Sequence, residues 1–204
     1  MARRPQSIPD RILAAALALA GERRWREVTL GEIAARAKVT LAQLHDAYGS
    51  KTAIVATLMA RTDDRVIAGV DPSAFSEPPR ERLLDAVLRR LDTLAANKPA
   101  IASMLRDTVF DPCAALCLAP RFLQSMAWTL EAAGIGSAGL AGRLRIKGLA
   151  AIYLSTLTVW LNDDSADQGK TMAHLDRRLR RVEQLAALLP GAHRARPEPA
   201  GQGG

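Results

Sequence analysis

A chain of 204 residues is long enough to bury a real core in one large domain or two small ones, and its 49% hydrophobic content excludes general disorder. β-Branched and aromatic residues are sparse beside Ala, Leu and Arg, which argues against a sheet-rich protein and predicts an all-α fold. The formal net charge of +7 and pI near 10.1 point to a polyanionic partner, nucleic acid or an acidic membrane surface, without choosing between them.

In chain order, Arg3 and Arg4 come first, either as a flexible arm for a DNA minor groove or as a solvated tail. A helix is predicted over residues 10–22, with Ile12, Leu13, Ala16, Leu17, Leu19 and Ala20 as its apolar stripe and Pro9 suited to its first turn. Because the first apolar run is amphipathic and follows Pro9-Asp10, no signal peptide is expected. Arg23-Arg24-Trp25-Arg26 is a basic connection, and its aromatic is read as a plug between helices. Thr29 with Glu32 three residues on is a capping-box pattern, so a short helix should start at Leu30 and bury Ile33, Ala34 and Ala37. Val39 interrupts the pattern. Thr40 then caps a second short helix that turns Leu44 inward and Gln43 outward. After Lys51 a long helix follows, with Ile54, Val55, Leu58, Met59, Val66 and Ile67 spaced for burial.

This order of elements resembles the amino-terminal domain of TetR-family transcriptional regulators. The likeness rests on Ile12-Leu13-Ala14-Ala15-Ala16, Thr29-Leu30-Gly31-Glu32-Ile33-Ala34, Ala37-Lys38-Val39-Thr40, Leu44 and Tyr48-Gly49-Ser50-Lys51. The resemblance implies a helix-turn-helix head over residues 1–62 that reads a palindromic double-stranded DNA operator. It places Thr29, Lys38, Thr40, Gln43, His45, Asp46 and Tyr48 at or beside the DNA face and Lys51 next to a phosphate. Hydroxyl and amide groups on a recognition helix suit base edges or phosphates, and a lysine at a helix start adds to its positive end. Leu41 stands where the family commonly carries Lys or Arg, Asp46 where it often has His, His45 where it favours Tyr, and Lys38 where it favours Gly. Residues 41–47 therefore carry no fixed positive charge.

Beyond a polar, proline-rich break at residues 71–79, helices are predicted over 79–97, over a shorter stretch ending at Asp111-Pro112, over 120–133, over 141–162 and over 168–189. The resemblance implies that residues 63–190 are a ligand-binding and dimerisation domain, and the Pro- and Gly-rich tail 191–204 is expected to be disordered. Cys113 and Cys117 are expected as two small buried residues, and Asp163, Asp164 and Asp167 as caps of the last helix rather than a metal site. By their placement around the helix, Leu149, Ile152, Tyr153, Leu157, Trp160 and Leu161 are expected to be too many to face one monomer core, so the helix is either central or covered on one side by a second chain. A homodimer through about residues 141–189 is therefore expected.

Segments 125–135 and 159–167, extended by 171–179, are similar to the bacterial relatives of a TetR-fold lipid-binding ubiquinone-biosynthesis protein. That likeness implies an alternative, a lipid- or quinone-binding accessory protein without specific DNA binding. Pro190 and the tail argue against a terminal membrane-touching helix, and the run 148–162 is too short to span, so no stable membrane insertion is expected. Either family implies an apolar pocket for a small hydrophobic ligand. Its candidates are Met104, Leu105, Phe110, Leu123, Met126, Trp128, Leu130, Tyr153 and Leu157, with Ser125, Thr129 and Tyr153 offering polar atoms. His45, His174 and His193 are scattered, and no nucleophile, metal or phosphate-loop motif is visible. The expectation is a cytoplasmic, non-enzymatic protein with no cofactor or metal.

Overall fold

The computed structural model describes residues 6–165 and 167–187; Arg3, Arg4, residues 188–190 and the tail 191–204 lie outside the described residues. Within them the chain forms nine α-helices and no strand, as its composition predicts. They are α1 (Ile8–Glu22), α2 (Leu30–Ala37), α3 (Leu41–Ala47), α4 (Lys51–Ala68), α5 (Pro79–Ala95), α6 (Lys98–Val109), α7 (Pro112–Ala132), α8 (Gly139–Leu161) and α9 (Gly169–Ala187). Single 3-10 turns at Trp25–Glu27 and Pro72–Ser76 fill the two longer connections.

Local chemistry sets the helix starts. Ser7, Thr29, Thr40, Ser50 and Asp111 each accept a backbone N–H of their own first turn. Helices as short as α2 and α3 do not persist alone. They are held by a shared core in which Ile12, Ala16, Ile33, Leu44 and Ile54 are fully buried, with Trp25 as the expected plug. A second core joins α5, α7, α8 and α9 through Val87, Leu91, Met126, Leu149, Trp160 and Leu175. Leu17 and Leu58 pack against both cores, and α4 runs unbroken from the head through residue 62 into the larger part.

Three expectations need correction. The helix predicted from residue 120 begins instead at Pro112, because Asp111 caps it and Pro112 fits the first turn; Pro120 sits in its interior. Cys113 and Cys117 are exposed rather than buried, since α7 becomes covered only from Leu118. The apolar residues named on α8 do fit one monomer: Leu149, Ile152, Tyr153, Leu157 and Trp160 are all buried. What α8 leaves uncovered is a different face, formed by Leu140, Leu144, Ala151, Leu154 and Thr158 at helical spacing. By length and composition α8 as a whole is apolar enough to cross a bilayer, a longer run than 148–162, yet it packs against α7 and α9.

Candidate nucleic-acid interface and apolar cavity

Two successive capping boxes build the head's outer surface. Thr29 Oγ accepts the Glu32 N–H at 3.3 Å, and Glu32 accepts the Thr29 N–H at 2.9 Å. Arg23 reaches the same carboxylate at 2.6 Å. Together the Arg23 guanidinium and the two Thr29 donors lower the Glu32 pKa to about 2. Around α3 the pattern repeats: Thr40 Oγ accepts the Gln43 N–H at 3.1 Å, and Gln43 Oε1 accepts the Thr40 N–H at 3.0 Å. Gln43 is exposed, with one lone pair of its oxygen engaged by the Thr40 N–H and no partner for its amide nitrogen among the described residues, so the amide keeps a donor and an acceptor for an outside partner.

Between these helices the chain turns at Lys38, whose φ of 55° is left-handed. The Val39 N–H returns to Ala34 O at 3.0 Å, and Arg11 donates to the carbonyls of Ala37 (2.6 Å) and Lys38 (2.5 Å). The turn's carbonyls are therefore satisfied from α1 and its amides from α2 itself, while the Lys38 side chain is exposed.

Thr29, Lys38, Thr40, Gln43, His45 and Asp46 are all exposed, with Leu44 alone of α3 buried. His45 Nδ1 and Asp46 Oδ1 lie 3.9 Å apart at the surface. Two expected contacts are displaced. Tyr48 is buried and its hydroxyl donates to Pro9 O at 3.2 Å, tying the end of α3 to α1. Lys51 is half-buried; its ammonium donates to Val28 O at 2.7 Å and to Trp25 O, and lies 4.4 Å over the Trp25 ring. Burial lowers its pKa, opposed by Asp107 and Glu32. Lys51 staples the Trp25 turn to the start of α4.

Behind the head lies a cavity of about 320 Å³, lined almost wholly by apolar side chains of α4, α5, α6, α7 and α8. Of the residues expected there, Met104, Leu105, Tyr153 and Leu157 line it. Met126 and Leu130 lie in the packed core beside it, Leu123 packs against that core, and Phe110 and Trp128 face outward. Phe110 ends up outside because α6 stops at Val109 and the next residue belongs to the connection. Lining residues that the sequence reading did not single out for the cavity include Val55, Leu58 and Met59 of α4, Thr108, Phe122 and Arg90. Exposed Val109 and Leu154 mark its mouth. A second hollow, about 270 Å³ near the Pro72–Ser76 turn, is instead rimmed by Asp71, Glu77, Arg82, Asp85 and Arg89.

Arg90 is 3% exposed and belongs to a buried polar cluster on the cavity wall. Its Nη1 donates to Asp63 at 2.6 Å and to Thr129 at 3.2 Å, and its Nη2 donates to Ser125 at 2.7 Å. Ser125 also donates to Asp63, and Arg121 reaches the other Asp63 oxygen at 2.7 Å. The guanidinium stacks 5.2 Å from the Tyr153 ring. Ser125 and Thr129, expected to face a ligand, serve this cluster. A signal for it existed in the sequence: Asp63 and Arg90 interrupt the apolar stripes of their helices, and a charge placed there needs a buried partner.

The two candidate sites share their supports. Helix α4 starts at the Lys51 staple and lines the cavity from Val55 to Thr62, one to three turns on; α6 lines the cavity and meets the head through its other face. Ser103 accepts the Trp25 N–H at 2.8 Å and Asp107 accepts the Arg26 N–H at 2.6 Å. At the far end Asp163, buried, caps α9 by accepting from Thr171 N (2.9 Å) and Oγ (2.7 Å), as expected. The Ser165 and Thr171 hydroxyls hold its carboxyl well below the ordinary range.

Residues 12–58 match the family model of bacterial regulatory proteins, tetR family, and residues 145–186 match the COQ9 model. Among solved structures the chain is similar to a TetR transcriptional regulator from Nitrosomonas europaea ATCC 19718, with TM-score 0.71 and 25% identity over 88% of this chain and 99% of that one. It is similar also to a TetR transcriptional regulator from Rhodococcus sp. RHA1, with TM-score 0.64 and 23% identity over 84% and 93% of the two chains. A third is Thermus thermophilus FadR, a TetR family transcriptional repressor in complex with lauroyl-CoA, with TM-score 0.57 and 22% identity over 95% and 100%. No curated protein matches this chain.

Proposed function

From a TetR-family head at residues 12–58 and the TetR fold over the described residues, we propose a homodimeric, ligand-responsive DNA-binding regulator, acting as a repressor. The observation that carries this reading is the outward polar face of α3, Thr40, Gln43 and His45, held on a rigid three-helix head. Two such faces, related by a twofold axis, would enter successive major grooves of a palindromic operator. Dimerisation through α8 and α9 is supported by their uncovered apolar side chains, Leu140, Leu144 and Leu154 on one helix and Met172, Val182 and Leu185 on the other.

A small hydrophobic ligand in the cavity would press on α4 and α6 together, the two helices that also hold the Trp25 turn. It releases DNA to the extent that it prefers one head spacing over the other. The protein works in the cytoplasm, carries out no catalysis, and inserts stably in no membrane. Mobility shift with the flanking promoter DNA at physiological salt tests the proposal. A sequence-selective complex is expected, with a shallow salt dependence because α3 contributes no cation. Weak, sequence-blind binding would remove the regulator reading.

One observation favours a second reading, a lipid- or quinone-binding accessory protein: the COQ9 match across α8 and α9. The absence of Lys and Arg on α3, with Tyr48 and Lys51 engaged internally, agrees with it. Native mass spectrometry after gentle purification separates the two, since a carrier keeps its cargo.

A further inference from the structure

Among the described residues of the head, 6–62, one large apolar side chain is exposed, and it stands on the helix assigned to DNA. Leu41, the first residue of α3, is 59% exposed. The helix does not need it there. An apolar residue just before a cap and another four residues after the cap commonly clasp a helix start. Around Thr40 those two places belong to Val39 and Leu44, and both pack into the head core. Leu41 takes no part in that core.

Its neighbours narrow what it can meet. Ala42, Gln43, His45 and Asp46 are exposed with it, His45 one turn beyond Leu41 and Asp46 one turn beyond Ala42. No Lys or Arg stands on α3, so the forked contact by which a cation reads guanine is closed to this helix. Gln43, His45 and Asp46 suit polar base edges; Leu41 offers only hydrocarbon. The hydrocarbon that a major groove offers in return is the C5-methyl group of thymine.

Resting on the proposal that α3 enters a major groove, we infer that Leu41 is a specificity-determining residue that reads a thymine methyl group. Each half-site of the operator then carries a thymine facing the first turn of α3. Phosphate contacts supply affinity without sequence. Burying Leu41 against a methyl group supplies discrimination, because both surfaces leave water together. Cytosine at the same place sets a polar amino group against the leucine and leaves it without a partner.

The probe is a duplex enriched by the full chain from a random-sequence library at physiological salt. Mobility shift then compares it with copies in which one thymine at a time is replaced by deoxyuridine, which lacks only the methyl group. At one thymine of a half-site the replacement should weaken binding about four-fold, the loss of one buried methyl contact, and about sixteen-fold when made in both half-sites. Leu41→Ala, a surface change that should leave the urea unfolding midpoint in place, is expected to bind the thymine and deoxyuridine duplexes alike. Half-sites without thymine, or deoxyuridine copies that all bind the wild-type chain like the parent, overturn the Leu41 assignment and leave the regulator reading standing. A methyl effect that survives Leu41→Ala in full overturns it too, since another side chain then does the reading. If no duplex is enriched, the regulator reading itself falls and takes this assignment with it.

Discussion

The α2–α3 turn and the Asp63–Arg90 cluster solve the same problem, placing polar side chains where the fold wants them, by opposite means. At the turn every partner is close in sequence: Thr29 with Glu32, Thr40 with Gln43, each three residues apart and exposed. In the cluster, partners from α4, α5 and α7 lie 27 to 62 residues apart and are buried. Local caps contribute little each but form with the helix itself. Distant buried pairs form only when the whole core closes, and losing one member leaves the others in an apolar medium. The head should therefore tolerate change by small steps, and the cavity wall should not.

The sharpest way to break this contrast is Asp63→Leu. It strands Arg90, 3% exposed, while Arg121 keeps access to solvent. Stability should fall by about 3–5 kcal/mol in urea unfolding. Adding Arg90→Met should recover most of that loss, since an apolar pair of similar volume needs no desolvation. A loss under about 1 kcal/mol for the single variant would mean that the cluster is solvated and no different in kind from the caps.

The same contrast explains what the sequence discloses. The Thr29 capping box, the Thr40 cap, the inward Leu44 and the Asp163 cap were legible because each depends on spacing within one or two turns, and the Trp25 plug because a lone aromatic in a basic connection is best buried; that Gln43 closes a second box on Thr40 was not read. Tyr48 and Lys51 were legible as positions but not as contacts. Whether Lys51 meets a phosphate or the Trp25 and Val28 carbonyls depends on how α4 packs against the preceding turn. Phe110 and Trp128 mislead for a related reason: their type suits a greasy pocket, but Phe110 falls just past the end of α6 and the register of α7 turns Trp128 outward. Arg90 was missed because a charge in an apolar stripe names a need and not the partner that meets it.

At intermediate effect, Thr40→Ala probes the local arrangement. It removes the acceptor for the Gln43 N–H but leaves Gln43 Oε1 on the backbone of residue 40. Urea unfolding should show a loss of about 1 kcal/mol, and Thr40→Ser should restore it. A loss as large as that at Asp63 would show α3 to be coupled to the whole core rather than set by its own cap.

The smallest expected effect separates two roles in one side chain. Lys38 occupies a left-handed conformation that costs a non-glycine residue about 1–2 kcal/mol, and it is the exposed cation beside Thr40. Lys38→Gly relieves that strain, while the freer unfolded glycine takes back part of the gain. Stability should rise by about 0.5–1 kcal/mol in urea unfolding. If the ammonium also neutralises a DNA phosphate, operator affinity should fall and the slope of log K against log salt should shrink by about one. The two measurements move in opposite directions only when Lys38 is held in a strained turn for the sake of its charge. A more stable variant with an unchanged salt slope would assign Lys38 to the turn alone and leave the interface dependent on Thr40, Gln43 and His45.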